Sequence, residues 1–356
     1  MCIFCNKNKN IEEYLERNNG SILIDNCEKI IEIPKIGNRI YNLIIRDCKN
    51  LSNISVISQL KSLYILNCNK LRKIDKIEKL ERVHIENCGA LENIEKLSGI
   101  NYYSINDNNM IEAQFTIINC GSILNIPYLS NFRRLVIDKC VNLKNIEPTS
   151  SIYDISISSC KYIKDISRFI NLVHINIFKT PIKFIPFYEN LRTLSIHTNN
   201  HIRTISHYPN LINLSINFCN NIQQIASLPK LRKSNIIGCE NIKYIHSLPK
   251  IHLLDISYSD SLDKLELPNT VLFYTLSYKF QIYHRFVGKQ YPRDGYGLTK
   301  NMYKLIKLQQ FIKKYLFYKK FITYINSRGF NEWFYHPNGI GGRSHIKRFY
   351  NMFQKI

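Results

Sequence analysis

Nine of the eleven cysteines recur at a regular spacing, which makes them the first candidates for chemistry in this chain. Thiolates ligate metals, act as nucleophiles and form disulfides. Most successive members of this set, however, are 20 or 21 residues apart, which predicts one thiol at the same point of each unit of a repeat. Buried cysteine packs as a small apolar residue with a weak S–H donor. We therefore predict a structural ladder of Cys27, Cys48, Cys68, Cys88, Cys120, Cys140, Cys160, Cys219 and Cys239.

The remaining chemical groups predict neither a metal site nor a catalytic one. Cys2 and Cys5 form a C-x-x-C pair, but no second pair supplies the further ligands that zinc needs. The histidines are scattered, and no H-E-x-x-H, G-x-S-x-G or Walker A pattern occurs. The glycine-rich run at 339–343 lacks the G-K-[ST] ending of a phosphate loop, so we interpret it as a turn. We predict a non-enzymatic protein without a cofactor.

The elements that position the cysteines are visible in residues 60–97, where the chain repeats itself after 20 residues. Leu63 aligns with Val83, and Ile65 aligns with Ile85. The consensus, L-x-x-L-x-I-x-x-C-x-x-L-x-x-I, runs through residues 21–277 and predicts about 12 coils. One coil is expected to be truncated near 100–111, because the next begins only about 12 residues later, and Thr180 stands where a cysteine is due.

This pattern resembles the leucine-rich repeat family, L-x-x-L-x-L-x-x-N/C-x-L, with Ile often replacing Leu. The resemblance implies an α/β-type repeat solenoid, a horseshoe with a parallel sheet on its concave face. Units of 20 residues leave little room for a helix, so the convex arcs are expected to be extended or 3₁₀. The heavy use of Ile, Asn, Lys and Tyr is similar in style to leucine-rich repeat proteins of giant viruses that infect amoebae.

The concave face is where such a solenoid is expected to bind, because strand side chains alternate between core and solvent. The outward positions mix small polar, apolar and oppositely charged residues, which favours a protein partner of unknown identity over a phosphate backbone or a small-molecule substrate. The candidate binding residues are Arg46, Tyr64, Leu66, Arg82, His84, Glu86, Arg134, Asp138, His174, Phe178 and His197.

The formal net charge of +22 is concentrated at the C-terminal end, where residues 278–356 carry 16 Lys/Arg against 2 Asp/Glu. We predict a cap at 1–20 and a basic, aromatic cap or tail at 278–356, with a basic amphipathic helix at about 299–326. Three interpretations stay open beside a solenoid cap. Residues 308–314 resemble the start of an IQ motif, which implies a calmodulin-like partner. Basic helices also bind acidic membrane surfaces or nucleic acid. The basic residues are Lys313, Lys314, Lys319 and Lys320.

The cysteine usage also predicts the compartment. An odd number of cysteines, and an N-terminal stretch that turns polar after five residues, favour an intracellular protein without a signal peptide or membrane span. If the protein is viral, the host-cell cytoplasm is the expected location.

Overall fold

The computed structural model describes residues 3–5, 11–33, 35, 39–77, 79–97, 113–129, 132–259, 261–262, 273–276, 296–298, 300–327 and 330. The chain divides into two compact units, Met1–Gly297 and Leu298–Ile356.

Strands are numbered along the chain, and most of them form one 14-stranded main sheet. From β1 to β21 the neighbours in this sheet pair in parallel. In spatial order the strands are β1 (Ser21–Asp25), β3 (Asn42–Arg46), β5 (Ser62–Leu66), β7 (Arg82–Glu86), β8 (Gln114–Ile118), β10 (Arg134–Asp138), β12 (Asp154–Ser158), β13 (His174–Phe178), β14 (Thr193–His197), β16 (Asn213–Asn217), β18 (Lys233–Ile237), β20 (Leu253–Ile256), β21 (Phe273–Leu276) and β22 (Tyr296–Leu298).

The strand order follows the chain order, so each turn of the repeat adds one strand beside the last. The result is a parallel β-solenoid of about 11 turns. Register keeps like residues together: Leu63 pairs with Val83, and Val83 pairs with Phe115. The second and fourth residues of these strands are mostly fully buried Leu, Ile or Val, which pack into one continuous core. The spacing at which aliphatic residues recur in the sequence is therefore the length of one stacked coil in the fold.

The step from β7 to β8 differs from the others because 27 residues separate Glu86 from Gln114. The two strands nevertheless pair directly, with His84 opposite Thr116 and Ile85 opposite Ile117. No strand of the described chain lies between them. The truncated coil expected near 100–111 lies outside the described residues, and the main sheet continues across it without a missing position.

The segments that return the chain from one main strand to the next, here called the outer arcs, are mostly extended, as a 20-residue period predicts. They include one 3₁₀ turn, Glu95–Leu97. Each short outer strand ends in an isoleucine that packs into the core. These strands are β2 (Glu32–Ile33), β4 (Asn53–Ile54), β6 (Lys73–Ile74), β9 (Asn125–Ile126), β11 (Asn145–Ile146), β15 (Thr204–Ile205), β17 (Gln224–Ile225) and β19 (Tyr244–Ile245).

A short helix, α1 (Ile11–Arg17), precedes the first strand. Leu15 on this helix and Ile3 before it are buried in the same core as the coils. The amide of Gly20 donates to the carbonyl of Leu15, which turns the chain from the helix into β1. Residues before the repeat thus cover apolar surface that the first coil would otherwise expose.

The second unit contains α2 (Lys300–Ile325). This helix spans nearly the residues predicted for it, about 299–326, but the amphipathic pattern predicted there is wrong. Tyr315, Leu316, Phe317 and Tyr318 occupy consecutive positions and are all exposed, so their apolar groups point to every side of the helix. Among the described residues, no helix combines the length and apolar content needed to cross a bilayer.

One core position breaks the aliphatic rule. Ser234 on β18 is fully buried between Leu214 and Leu254 on the neighbouring strands. Its hydroxyl oxygen has no hydrogen-bond partner among the residues that the structure describes. A buried hydroxyl without a partner lowers the stability of the fold, because the hydrogen bonds it made to water are lost and none replaces them.

The packing of the coils predicts a large cost for truncating one core residue. Ile85→Ala should lower the free energy of unfolding by about 2–5 kcal/mol, because Ile85 is fully buried and packs between Ile65 and Ile117. Urea unfolding followed by circular dichroism measures the change. The control is Ile31→Ala, since the Ile31 side chain is 65% exposed and should be nearly neutral. Equal losses in both variants would contradict the assigned core.

The unsatisfied serine predicts a substitution that stabilises the protein. Ser234→Ala removes the buried hydroxyl and should raise the free energy of unfolding by about 1 kcal/mol. Ser195→Ala is the control, because Ser195 lies half-buried on the opposite face of the main sheet. If Ser234→Ala destabilises the protein in the same unfolding measurement, the Ser234 hydroxyl has a partner and the interpretation fails.

Candidate interaction face of the main sheet

A residue in a left-handed backbone conformation, with φ between 46° and 64°, directly follows each main strand from β1 to β18, and Tyr258 is the second residue after β20. This turn sends the chain out of the sheet, and its amide donates to the last carbonyl of the next main strand, as Asn67 does to Glu86. Left-handed backbone favours Gly, Asn and Asp. The positions are Asn26, Asp47, Asn67, Asn87, Asn119, Lys139, Ser159, Lys179, Thr198, Phe218, Gly238 and Tyr258.

Gly238 meets two constraints at this turn. Its φ is +64°, and a Cβ there would lie 2.7 Å from the Phe218 ring of the preceding coil. The ring therefore lies over the glycine backbone, and a side chain at 238 would displace it. Phe218 and Tyr258 are themselves left-handed, so the turn geometry is imposed by stacking rather than by residue preference at these positions.

The ladder position comes directly after the left-handed residue. The Cys68 sulfur lies 3.4 Å from the carbonyl oxygen of Leu66, two residues earlier, and the same contact recurs along the ladder. Cys219 and Cys239 also point their thiols at a carbonyl of the preceding coil. The predicted ladder cysteines are all buried. Burial raises the pKa of Cys160 to about 11 and that of Cys239 to about 12.

Other residues fill the ladder position with the same hydrogen-bonding role. The hydroxyl of Ser259 lies 3.4 Å from the carbonyl oxygens of Ile236 and Ser257. Fully buried Asn199 donates to the carbonyls of Thr180 and Ile182, and its side-chain oxygen accepts from the amides of residues 201 and 202. The ladder positions Thr180 and Asn199 are 19 residues apart instead of the usual 20, and the Asn199 amide closes this shorter coil.

A second polar ladder runs beside the first, through the left-handed residues of four successive coils. The Asn67 amide donates to Asp47, Asn87 donates to Asn67, and Asn119 donates to Asn87. The last of these bonds, 2.8 Å long, spans the step between β7 and β8. The repeat pattern alone did not predict that these side chains bond to one another.

The first, third and fifth residues of each main strand form the open face of the main sheet. This face carries the predicted binding residues. Its best-defined group is here called the Tyr64 cluster and consists of Tyr64, Arg82, His84 and Glu86. The Tyr64 and His84 rings stack with centroids 6.1 Å apart and planes at 26°. Nε2 of His84 lies 3.1 Å from Oε2 of Glu86. The cluster presents rings, a carboxylate and a guanidinium on two adjacent strands.

Two other predicted residues adjoin this cluster. Register places Arg46 opposite Leu66 and Leu66 opposite Glu86, so these three form a row across β3, β5 and β7. Arg46 is exposed, whereas Leu66 is half-buried. The row adds an apolar contact and a second cation to the Tyr64 cluster.

The other predicted residues lie farther along the sheet. Arg134 and Asp138 are on β10, two strands from β7, and Nε of Arg134 lies 3.4 Å from a carboxylate oxygen of Asp154. His174, Phe178 and His197 form a separate group on β13 and β14, where Phe178 is opposite His197.

That separate group makes its own contacts. The Asn217 amide nitrogen lies 3.0 Å from Nδ1 of His197, and burial lowers the pKa of this histidine. Nζ of Lys179 lies 5.2 Å from the Phe178 ring centroid. These contacts attach His197 and Phe178 to neighbouring side chains, and neither contact reaches the Tyr64 cluster.

Sequence reasoning missed the residues that join β7 to β10. Gln114, Thr116 and Ile118 on β8 lie directly beside Arg82, His84 and Glu86. The Gln114 amide donates to the Thr116 hydroxyl over 2.7 Å. The signal was the 12-residue distance to the next coil, which marked an irregularity without showing which strands would pair.

The side chains of this face are suited to non-covalent binding through rings, charged groups and apolar groups. Among the described residues, no group of three or more His, Cys, Asp or Glu is arranged to hold a metal ion. Of the basic residues predicted in the tail, Lys314, Lys319 and Lys320 are exposed on α2, and the Lys313 side chain lies outside the described part.

Strand order, register and the ladder together define the class of this protein as a parallel β-solenoid of repeated coils. No protein-family model matches the chain, and no curated protein matches its sequence. Among solved structures it is similar to a leucine-rich repeat protein from Eubacterium ventriosum, with 11% identity and a TM-score of 0.24. That match covers 72% of this chain and 88% of the other. The class rests on the strands of this chain, not on so distant a likeness.

The ladder predicts which thiols are protected. Brief treatment of the native protein with a thiol reagent should leave Cys68, Cys88, Cys160 and Cys239 unmodified, because they are fully buried. Half-buried Cys5 should react first. Peptide mass spectrometry measures modification at each site, and the urea-unfolded protein gives the full extent. Rapid modification of Cys68 or Cys88 in the native protein would contradict the ladder.

Proposed function

We propose that this protein is a non-enzymatic scaffold that binds a protein partner on the open face of the main sheet. The observation that carries the proposal is the Tyr64 cluster, where four recognition groups meet on adjacent strands. Protein interfaces are enriched in aromatic residues and arginine, and a few such residues supply most of the binding energy.

The charge pattern of this face also favours a protein partner. Arg82 and Glu86 stand on the same strand with His84 between them, so the face presents both signs of charge within one cluster. A phosphate backbone would select a row of cations instead. Half-buried Ile118 extends the face with an apolar group on the neighbouring strand, whereas Thr116 beside it is buried. A complementary protein surface satisfies all of these groups at once.

A second candidate function uses α2, the helix of the second unit. Lys314, Lys319 and Lys320 are exposed there together with Phe311 and Phe317. Lysines interleaved with exposed aromatic side chains favour an adaptor helix that takes a calmodulin-like protein, an acidic membrane surface or nucleic acid.

The proposed setting is intracellular. The ladder thiols act as hydrogen-bond donors to backbone carbonyls, a role that requires them reduced. Reduced thiols persist in cytosolic compartments. A viral origin would place the protein in the host-cell cytoplasm.

Affinity capture with matched variants tests the proposal. Tyr64→Ala combined with Arg82→Ala should weaken binding of the partner at least about tenfold, since truncated interface anchors cost 2 kcal/mol or more. The control is Lys233→Ala combined with Asn235→Ala, which alters the same two positions of β18 and also removes one cation. Quantitative mass spectrometry of proteins from the host-cell extract identifies the partner, and titration with the purified partner gives the affinities.

A third variant separates the two candidate functions. Exchange of Lys314, Lys319 and Lys320 for Gln removes the exposed cations of α2 and leaves the open face unchanged. Loss of the partner from the Tyr64→Ala, Arg82→Ala chain alone supports the scaffold. Loss from the α2 variant alone supports the adaptor and contradicts the scaffold proposal.

A further inference from the structure

The outer arcs of the C-terminal coils carry a row of cations, here called the basic row. In each of these coils an exposed residue directly follows one core residue of the outer arc and precedes a second core residue by two positions. Lys183 has this place after Ile182 and before Ile185. The position is cationic in five of six successive coils, and Gln223 occupies it in the other. The basic row consists of Lys144, Lys164, Lys183, Arg203 and Lys243.

Backbone hydrogen bonds join this position between some of the coils, and the main strands of all six coils pair side by side. The amide of Lys144 donates to the carbonyl of Leu124 over 2.8 Å. In the same way Gln223 donates to Arg203, and Lys243 donates to Gln223. Paired main strands are about 4.8 Å apart, so the six coils that carry this position follow one another over about 24 Å. The cations therefore recur once per coil along the solenoid.

The charge of the basic row is not neutralised by its surroundings. Among the described residues, none of its five members forms an ion pair. Residues 141–250 hold 13 Lys/Arg against 5 Asp/Glu, whereas residues 21–120 hold 13 against 12. In those N-terminal coils the same position is Ile31, Ser52, Arg72, Glu92 and Leu124. Within the solenoid, the excess of positive charge therefore lies in the C-terminal coils, where this outer-arc position is mostly cationic.

Exposed aromatic side chains adjoin the basic row. Phe184 and Tyr244 directly follow a cation and are 55% and 54% exposed. Tyr162 precedes Lys164 by two residues and is 48% exposed. None of these three rings is part of the solenoid core. Contact with a ligand would bury their apolar surface and so be stabilising. Cations along one line with flat rings beside them are the pattern of proteins that bind single-stranded nucleic acid.

We propose that the basic row and these three aromatic residues bind single-stranded nucleic acid. The cations contact successive phosphates of one backbone, and unpaired bases stack on the rings of Tyr162, Phe184 and Tyr244. A duplex keeps its bases inside and has nothing to place on these rings. Thr204 and Gln224 separate Phe184 from Tyr244 along the arcs, whereas a membrane-binding surface needs a continuous apolar patch.

Removing three cations from the basic row tests the contact with phosphate. The variant combines Lys164→Gln, Lys183→Gln and Arg203→Gln, and Gln is chosen because Gln223 already occupies this position in the native fold. The control combines Lys29→Gln, Lys49→Gln and Arg72→Gln, which removes the same charge from exposed positions of the N-terminal coils. Both are made in the full-length chain, so all other basic residues are retained.

Fluorescence anisotropy with a labelled 20-nucleotide oligouridylate, across a salt series, measures the affinity. The basic-row variant should bind on the order of 100-fold more weakly near 0.1 M salt, and its log–log salt slope should be smaller by about 2, because three phosphate contacts are lost. The control should keep the native affinity and slope. Equal losses in variant and control would overturn the proposal.

Removing the rings tests base stacking separately. Phe184→Ala combined with Tyr244→Ala should weaken binding of the oligouridylate about 10-fold or more while leaving the salt slope unchanged. The same variant should not alter binding of an RNA duplex of equal length. Equal affinity of the native protein for duplex and single strand would overturn the assignment. So would binding to phosphatidylserine vesicles that falls in parallel when either set of residues is replaced.

Discussion

The constraint on which this structure depends is the turn at the end of every main strand. There the chain must leave the sheet at the same point of each coil, so that the next strand begins in register with the last. A left-handed residue makes the turn, its amide extends the hydrogen bonding to the next coil, and a buried ladder side chain meets the carbonyls beneath. Left-handed backbone costs about 1–3 kcal/mol at a residue such as Phe218. Stacking on both neighbours offsets that cost.

Because the turn is fixed, the solenoid tolerates changes elsewhere in the coil. Asn199 replaces a thiol with an amide and closes a coil that is one residue short, by bonding to carbonyls on both sides of Pro181. The step from β7 to β8 absorbs a much longer segment, yet the hydrogen bond from Asn119 to Asn87 has the same length as that from Asn87 to Asn67. Register is preserved in both places because each coil contacts only its neighbours.

Stacking also turns single positions into continuous rows, and each row acquires its own chemistry. The core rows are aliphatic and the ladder row is thiol. The rows of the open face are mixed in charge around the Tyr64 cluster, which favours a protein partner. An outer-arc row becomes cationic after Leu124, which favours a polyanion. One repeat therefore offers separate surfaces for different partners, and substitutions in one row leave the others intact.

The sequence by itself determined the solenoid, its core and its ladder. The distance from Cys68 to Cys88 sets the length of a coil, and the apolar residues between them can all be buried only if successive coils stack. A 20-residue unit was also enough to predict extended outer arcs, because a helix would not fit. These features follow from the period and composition of the repeat, which the two aligned copies in residues 60–97 already show.

Only the tertiary structure decided which residues meet across coils. It placed Thr116 beside His84, where the chain alone suggested an intervening coil, and it joined Asn119 to Asn87. It showed Ser234 buried without a hydrogen bond, and the exposed residues of α2 on every side of that helix. Lys183, Phe184 and Arg203 became part of one surface only when the outer arcs were stacked. The physical reason is the same in each case: contacts between coils depend on pairing register, and register is settled by backbone hydrogen bonding along the whole sheet.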